Sequence, residues 1–316
     1  MIAGVVRETA KAERRVALTP DGVRRLVAAG HRIMVEYDAG RGVEIADTEY
    51  RTAGADLVDR AELYGASDLV AWVKPPAYQL DSLVRPGMTL VGFQDPIHRA
   101  ALIDELRARG VTSVGFEAVT HDRPEIDALS AMSRIAGEIA YGQARQLVSG
   151  SDPMRALIIG CGQAGLSAIG TAVRSGDAAV AIGNRPEQAD AAIHLGAKRF
   201  LANPDGDPEV LRRQLAAEPP ALVFCAAVHR GSKGPILIDA ATLDAMAVGT
   251  VIVDLVGKSG GNCVATVPDR TVTLPNGVIV THRSNYPADR PSAASAAYSA
   301  AMTAMILELD RRAAIE

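Results

Sequence analysis

The residues with the plainest chemistry lie mid-chain, in Gly160-Cys161-Gly162-Gln163-Ala164-Gly165, entered from Ala156-Leu157-Ile158-Ile159 and left through Leu166-Ser167-Ala168-Ile169. Glycines at this spacing allow a tight turn, close approach of backbone to a pyrophosphate, and close packing of a helix on its strand. The helix N-terminus adds N–H donors and positive potential. Because the loop stands between a strand and a helix, Gly160, Gly162 and Gly165 are the expected dinucleotide-binding residues. An acid normally ends the second strand and binds the adenosine ribose. Here the strand Ala178–Ile182 runs instead into Gly183-Asn184-Arg185-Pro186. A charge-assisted hydrogen bond is worth about 1.5–3 kcal/mol, so its loss weakens NAD binding by about one to two orders of magnitude. Asn184 and Arg185 are therefore expected at the adenosine end, Arg185 receiving a 2′-phosphate. NADP(H) is favoured, with NAD(H) as the alternative.

Such a loop needs a parallel α/β frame, and strand-like runs do alternate with helical ones. In the first half Thr19 is expected to cap a helix opened by Pro20, with Val23, Leu26 and Val27 on one face and Gly30 as its stop. Strands follow at Arg32–Tyr37, Asp68–Val73, Met88–Phe93 and Val111–Val114, with a helix from His98 to Arg109. From Asp127 to Val148, Met132, Ile135, Ala136, Ile139 and Ala140 keep one apolar face, which reads as a long helix joining two domains. Ser149-Gly150-Ser151-Asp152-Pro153 is a turn-rich break. Strands at Ala156–Ile159, Ala178–Ile182, Ala221–Cys225 and Thr250–Asp254 then alternate with helices, and an Ala-rich helix covers Ser292–Leu309.

Composition narrows the partners. Of 316 residues, 33 are Lys or Arg and 37 Asp or Glu, a net charge of −4 without basic blocks, which argues against nucleic acid or an anionic membrane surface. The longest apolar runs, such as Leu69–Val73, are strand-sized, far below the roughly 20 residues a spanning helix needs. Met1–Arg7 reads as a strand rather than a signal peptide, so a cytoplasmic location is expected. Cys161, Cys225 and Cys263 are scattered and odd in number, the pattern of reduced buried thiols without disulfide or metal site.

Over nearly its whole length the chain resembles the alanine dehydrogenase and NAD(P) transhydrogenase α-subunit family. The likeness rests on Glu13-Arg14-Arg15-Val16-Ala17-Leu18-Thr19-Pro20, Asp127-Ala128-Leu129-Ser130 through Gly137, the loop Ile159 to Gly170, and Val251-Ile252-Val253-Asp254-Leu255 with Gly260-Gly261-Asn262-Cys263. It implies an α/β fold of two Rossmann-like doubly wound domains joined by a long helix, with the C-terminal helix returning to the first. Residues 1–135 plus 286–316 form the implied substrate domain, and 136–285 the NAD(P)-binding domain. It also implies a homo-oligomer, a dimer or hexamer.

By the same resemblance Arg15 matches the arginine that binds the substrate carboxylate, and Lys74 the lysine that contacts substrate. Ser133 and Asn285, the latter in Asn285-Tyr286-Pro287, match residues near the bound cofactor. Two positions depart from the pattern: Asp95 stands where alanine dehydrogenases have their acid/base histidine, and Lys258 where they have an aspartate. An Asp95–Lys258 ion pair across the cleft is one expectation. Asp95 as a proton donor, its pKa raised by desolvation, is the other, while His98 is expected to cap its helix or face solvent. The loop His121–Ile126 lacks the glutamine of the transhydrogenase branch. The leading reading is an NAD(P)-dependent oxidoreductase acting on a small amino, imino or keto acid. A transhydrogenase component needing a partner subunit, and a non-catalytic nucleotide-binding module, are the alternatives.

Overall fold

The computed structural model describes residues 1–150 and 153–313. Ser151 and Asp152 of the expected turn lie outside the described residues. The chain packs as two compact units, Met1–Met132 with Pro287–Glu316, and Ser133–Tyr286.

Unit 1 contains strands β1 (Ile2–Val5), β2 (Arg32–Glu36), β3 (Asp56–Val58), β4 (Leu69–Ala71), β5 (Thr89–Gly92) and β6 (Thr112–Gly115). They form one parallel sheet in the order β3-β2-β1-β4-β5-β6, the doubly wound arrangement. Helices α1 (Pro20–Ala28), α2 (Asp47–Thr52), α3 (Arg60–Ala66) and α4 (Pro96–Ala108) connect the strands. Strands covered on both faces read as continuous apolar runs, and Val70, Leu90 and Met34 accordingly join Trp72 and Tyr64 in the core. β4 is shorter than Asp68–Val73 because the Val73 N–H is taken by the carboxylate of Glu8.

Pro20 opens α1 and Gly30, at φ +89°, follows its end. Thr19 does not cap the helix with its side chain; its hydroxyl is hydrogen-bonded to Ser299 Oγ at 3.2 Å. Ser299 belongs to the C-terminal helix, which returns to unit 1. There Ser295 and Ser299 accept the N–H groups of Val16 and Thr19, each at 3.0 Å. Their small size matters: a Cβ at Gly22 would fall 2.5 Å from Ser299 Oγ.

Helix α5 (Ala128–Arg145) carries the chain from one unit to the other. Asp127 accepts the Ser130 N–H at 2.9 Å, capping its first turn. Near the other end Asp177 receives Tyr141 Oη at 2.8 Å and Arg145 Nε at 2.9 Å, fixing α5 on the edge of unit 2.

Unit 2 contains β7 (Arg155–Ile159), β8 (Ala178–Gly183), β9 (Arg199–Ala202), β10 (Leu222–Cys225), β11 (Val251–Asp254), β12 (Thr271–Thr273) and β13 (Ile279–Thr281). Their order is β12-β13-β11-β10-β7-β8-β9, parallel except for β12. Helices α6 (Gln163–Arg174), α7 (Gln188–His194), α8 (Pro208–Ala217) and α9 (Ala240–Asp244) complete it, and α10 (Pro291–Ala313) is the returning helix of unit 1. The strand period of two divides the apolar residues between two cores. Ile158, Ala181, Phe224 and Val253 face one side, and Leu157, Val180, Val223 and Ile252 the other. Cys161, Cys225 and Cys263 are buried and free, and burial pushes the Cys161 thiol up to about 11.

Candidate active site

In an open parallel sheet, the crevice for a ligand forms beyond the carboxyl ends of the strands where the strand order reverses. Unit 1 reverses between β1 and β4, and unit 2 between β7 and β10. Arg15 and Lys74 follow the strands of the first reversal, and the glycine loop follows β7 at the second.

In unit 1 the chain leaving β1 carries Glu8, Glu13 and Arg15, and the chain leaving β4 carries Lys74. Glu8 Oε1 accepts the Val73 N–H at 2.6 Å and Oε2 the Lys74 N–H at 3.1 Å. Its carboxylate thus ties the ends of the two strands together. Although the residue as a whole is only part-buried, its carboxyl is enclosed, and desolvation pushes it up to about 8. The nearby Glu13 charge adds to this, against the two backbone donors and Arg15.

Arg15 meets Glu13 as a two-pronged pair, Nε and Nη2 each 2.7 Å from a carboxylate oxygen, with both side chains enclosed. Lys74 Nζ lies 3.8 Å from the same carboxylate and is more accessible. Burial opposes the Glu13 charge, but hydrogen bonds and charge from Arg15, together with Lys74, hold its carboxyl below the usual range. The structure therefore brings Arg15 and Lys74 together. It does so through two acids that reading the sequence for cations overlooked. A signal was present: Glu13 and Arg15 stand just before the apolar run Val16-Ala17-Leu18, and charges beside such a run need partners.

Beyond β5, Asp95 stands at the N-terminus of α4 in the left-handed region, φ 53°. Glu117 holds it there, its carboxylate accepting the Gln94 and Asp95 N–H groups at 2.9 Å, and burial pushes the Glu117 carboxyl up. Asp95 Oδ1 lies 2.8 Å from His98 Nδ1, and both side chains are about half exposed, 48% and 52%. The Asp95 side chain is thus not enclosed. Its partner is His98, which is bound to the helix cap rather than simply facing solvent. Tyr298 of α10 closes this side of unit 1, donating to the Trp72 carbonyl at 2.8 Å.

In unit 2 the glycine loop follows β7. Gly160 has φ +98°, and a Cβ there would lie 2.6 Å from the Ala226 carbonyl beyond β10. A Cβ on Gly165 would lie 1.7 Å from the Gly160 carbonyl. Gly162, the helix N-cap, differs: a Cβ there would meet nothing within 4 Å. Two glycines close the turn and the third leaves open backbone where a phosphate would approach. These residues fit a dinucleotide. Gly137 of α5 presses on the loop as well, its would-be Cβ 2.1 Å from the Ala164 carbonyl. Ser133, one turn before it, is part-buried at the start of unit 2. Asn184 and Arg185 are exposed after β8, where Gln188 Oε1 accepts the Arg185 N–H at 3.3 Å.

After β11, Asp254 is fully buried and accepts from the N–H groups of Val256 (2.9 Å), Asn262 (2.8 Å) and Cys263 (3.1 Å) and from the Thr266 hydroxyl (2.7 Å). Asn262 accepts the Ala227 N–H and donates to the Ala227 and Pro235 carbonyls, at 2.8 to 2.9 Å. Together they stitch the loops beyond β10 and β11. Lys258 is 56% exposed and lies 4.0 Å from Asp269 in its own unit. Asp269 donates its N–H to His282 Nδ1 at 2.8 Å and accepts the Ser284 N–H at 2.6 Å, next to Asn285 at φ 63°. Burial pushes the His282 imidazole down. Among the described residues, no cluster of three or more His, Cys, Asp or Glu could hold a metal ion.

Fold and loops define a two-unit α/β protein of the dinucleotide-binding class. Residues 4–136 match the N-terminal domain of the alanine dehydrogenase/PNT family and residues 135–316 its C-terminal domain. The chain belongs to that family, which binds nicotinamide dinucleotides and includes oxidoreductases. It is 33% identical to the NAD(P) transhydrogenase subunit alpha of Cereibacter sphaeroides over 339 residues, 97% of this chain and 65% of that protein. It therefore spans less than two thirds of that relative. The alanine dehydrogenase of Bacillus subtilis is 28% identical over 340 residues, all of this chain and 87% of that one. Among solved structures, a transhydrogenase from Sinorhizobium meliloti superposes with a TM-score of 0.87 at 27% identity, covering 96% of this chain and 92% of that one. An L-alanine dehydrogenase gives 0.85 at 26%, covering 98% and 90%. No helix among the described residues is long and apolar enough to cross a membrane.

Proposed function

We propose that this chain is an NAD(P)-dependent oxidoreductase that acts on a small amino, imino or keto acid, with NADP(H) favoured. The observation that carries this is the enclosed Glu13–Arg15–Lys74 network at the β1/β4 reversal of a family member that also carries the open-backbone glycine loop. When bound, the nicotinamide supplies or accepts the hydride. Gly160, Gly162 and Gly165 with the α6 N-terminus would hold the pyrophosphate, and Ser133 and Asn285 would flank the nicotinamide end. Arg185, beside Asn184, would receive the adenosine 2′-phosphate as a two-pronged hydrogen-bond partner.

Lys74 is the accessible cation of its network and orients the substrate carboxylate. Arg15, locked on Glu13, supplies fixed positive potential rather than a free fork. Such preorganised charge costs no rearrangement when the substrate reacts. The Asp95–His98 pair exchanges the proton: Asp95 fixes the ring through Nδ1, leaving the other nitrogen to solvent or substrate. Lys258, 4.0 Å from Asp269, which also accepts the Ser284 N–H, adds positive charge beside the segment that carries Asn285. A cytoplasmic homo-oligomer, dimer or hexamer, completes this reading, and light scattering would size it.

NADPH oxidation assayed with a panel of 2-oxo acids plus ammonium, and with cyclic imines, tests the reading. Saturable turnover with at least one substrate is expected; background rates throughout, with NADPH still bound, would overturn it. The 33% identity to a transhydrogenase α-subunit supports a second reading, a nucleotide-binding component that exchanges hydride only with a partner subunit. That reading predicts hydride exchange between two nicotinamide nucleotides once such a subunit is added, and none without it.

A further inference from the structure

Beyond β11 and β13 lies a buried imidazole that the proposed chemistry leaves without a task. The hairpin of β12 and β13 pairs Thr271 with Thr281, and the His282 N–H continues the ladder to the Arg270 carbonyl at 3.0 Å. A side chain makes the next rung: Asp269 donates its N–H to His282 Nδ1 at 2.8 Å, so the ring carries no proton on that nitrogen. The Asp269 carboxylate returns a bond by accepting the Ser284 N–H at 2.6 Å. His282 and Asp269 thus bracket the turn from which Asn285 leaves in the left-handed region, at φ 63°. Asp269 is itself left-handed, at φ 57°. Such backbone costs an L-residue energy and persists where its surroundings impose it, an arrangement that concentrates at ligand sites. The ring has little room to move: it is 4% exposed, and a Cβ on Gly257 would lie 2.3 Å from its Cδ2.

Resting on the placement of Asn285 at the nicotinamide end, we propose that His282 is a positioning residue for the cofactor. As a neutral hydrogen-bond acceptor it holds the Asp269 backbone, and through Asp269 the turn that presents Asn285. Protonation would remove the acceptor at Nδ1 and leave the Asp269 N–H without it. It would also set an imidazolium 3.7 Å from Asp269 Oδ1, in competition with the Ser284 N–H. The charged groups facing the ring are Asp269 before β12, Asp254 at the end of β11 and Lys258 after it. Burial disfavours the imidazolium most and Lys258 adds to this, against the two acids, so the ring is held below the usual histidine range. Bonds from Ser284 and the Lys258 charge hold the Asp269 carboxyl below its usual range, so it stays ionised where His282 titrates.

The test is calorimetric titration of the full-length protein with NADP+ and, separately, with its adenosine half, 2′,5′-ADP. His282→Leu, which removes the acceptor, should bind NADP+ about tenfold more weakly and 2′,5′-ADP as the wild type does, because only the nicotinamide end is mispositioned. His282→Asn restores an acceptor oxygen near the place of Nδ1 and should recover most of the NADP+ affinity. As pH falls below 6.5 and through the lowered His282 value, wild-type affinity for NADP+ should fall by up to about tenfold per unit relative to His282→Asn. That comparison cancels the titration of the cofactor's own phosphate. Unchanged NADP+ affinity in His282→Leu, equal weakening of NADP+ and 2′,5′-ADP, or the same pH dependence in wild type and His282→Asn overturns the inference alone. Asn285→Ala binding NADP+ as tightly as the wild type overturns the placement of Asn285 and this inference with it. Should His282→Leu not fold, NMR of wild-type protein labelled with nitrogen-15 histidine decides the matter. The His282 ring must carry its proton on Nε2 and become harder to protonate with NADP+ bound; a ring protonated on Nδ1, or one indifferent to NADP+, overturns the proposal.

Discussion

At the β7/β10 reversal the crevice is made of backbone, whereas at β1/β4 it is made of ionised side chains. The sheets around both are wound alike, yet Gly160, Gly162 and Gly165 offer only N–H groups and space, while Glu13, Arg15 and Lys74 offer charge. A backbone cradle keeps its donors at any pH and suits the phosphates common to all dinucleotides. A side-chain cluster responds to pH and discriminates among ligands by charge. One fold thus divides general grip from selective chemistry by what it places at the reversal.

The largest effect should come from breaking the backbone crevice. Gly165→Ala would drive a Cβ into the Gly160 carbonyl, and NADPH affinity should fall by more than about 100-fold in a fluorescence titration. Gly162→Ala provides the contrast, because its Cβ meets nothing in the protein: melting temperature should stay unchanged while NADPH affinity falls. The side-chain crevice comes next. Lys74→Ala should lower kcat/KM for the substrate by about 100-fold, some 2.7 kcal/mol, while the Kd for NADPH stays the same. Loss of NADPH binding in that variant would erase the division of labour.

Arg185→Ala sharpens the comparison within unit 2. It should weaken NADPH about tenfold and leave NADH unchanged, because only the extra phosphate needs a charged side chain. Equal or tighter NADH binding by the wild type would overturn the NADP(H) preference. The smallest effect concerns stability against pH. Glu8 has its folded pKa raised from 4.5 to about 8, so its favourable contribution is fully present below about 4.5 and is lost as pH rises through 8. Thermal melts should therefore show the wild type losing Tm relative to Glu8→Gln across that window. The glycine crevice carries no such pH dependence.

The comparison also explains what could be read from residues alone. The glycine loop is legible because its three glycines and both flanking elements lie within one short segment, and local spacing dictates local geometry. The alternation of strands and helices was legible through apolar periodicity, and the doubly wound order and the return of the last helix only through family likeness. Edge strands β9 and β12 were not, since short half-exposed segments lack a decisive apolar pattern. Glu8 and Glu13 escaped notice because their roles depend on Val73 and Lys74, some sixty residues away. Asp254 and Asn262 read as family markers, yet their task of joining two loops emerges only from hydrogen bonds to Ala227 and Pro235. Asp95 is bonded to His98 on its own helix and Lys258 lies beside Asp269 in its own unit, contacts that the family likeness did not indicate.

By itself, then, the sequence determined the α/β class, the phosphate-cradling loop and the absence of an acid after β8, because each depends on neighbours along the chain. Tertiary structure decided which charges meet. It placed two acids beside the two cations at β1/β4 and enclosed both acids. Partner identity and desolvation, which set the charge of a site, are properties of contacts between distant segments.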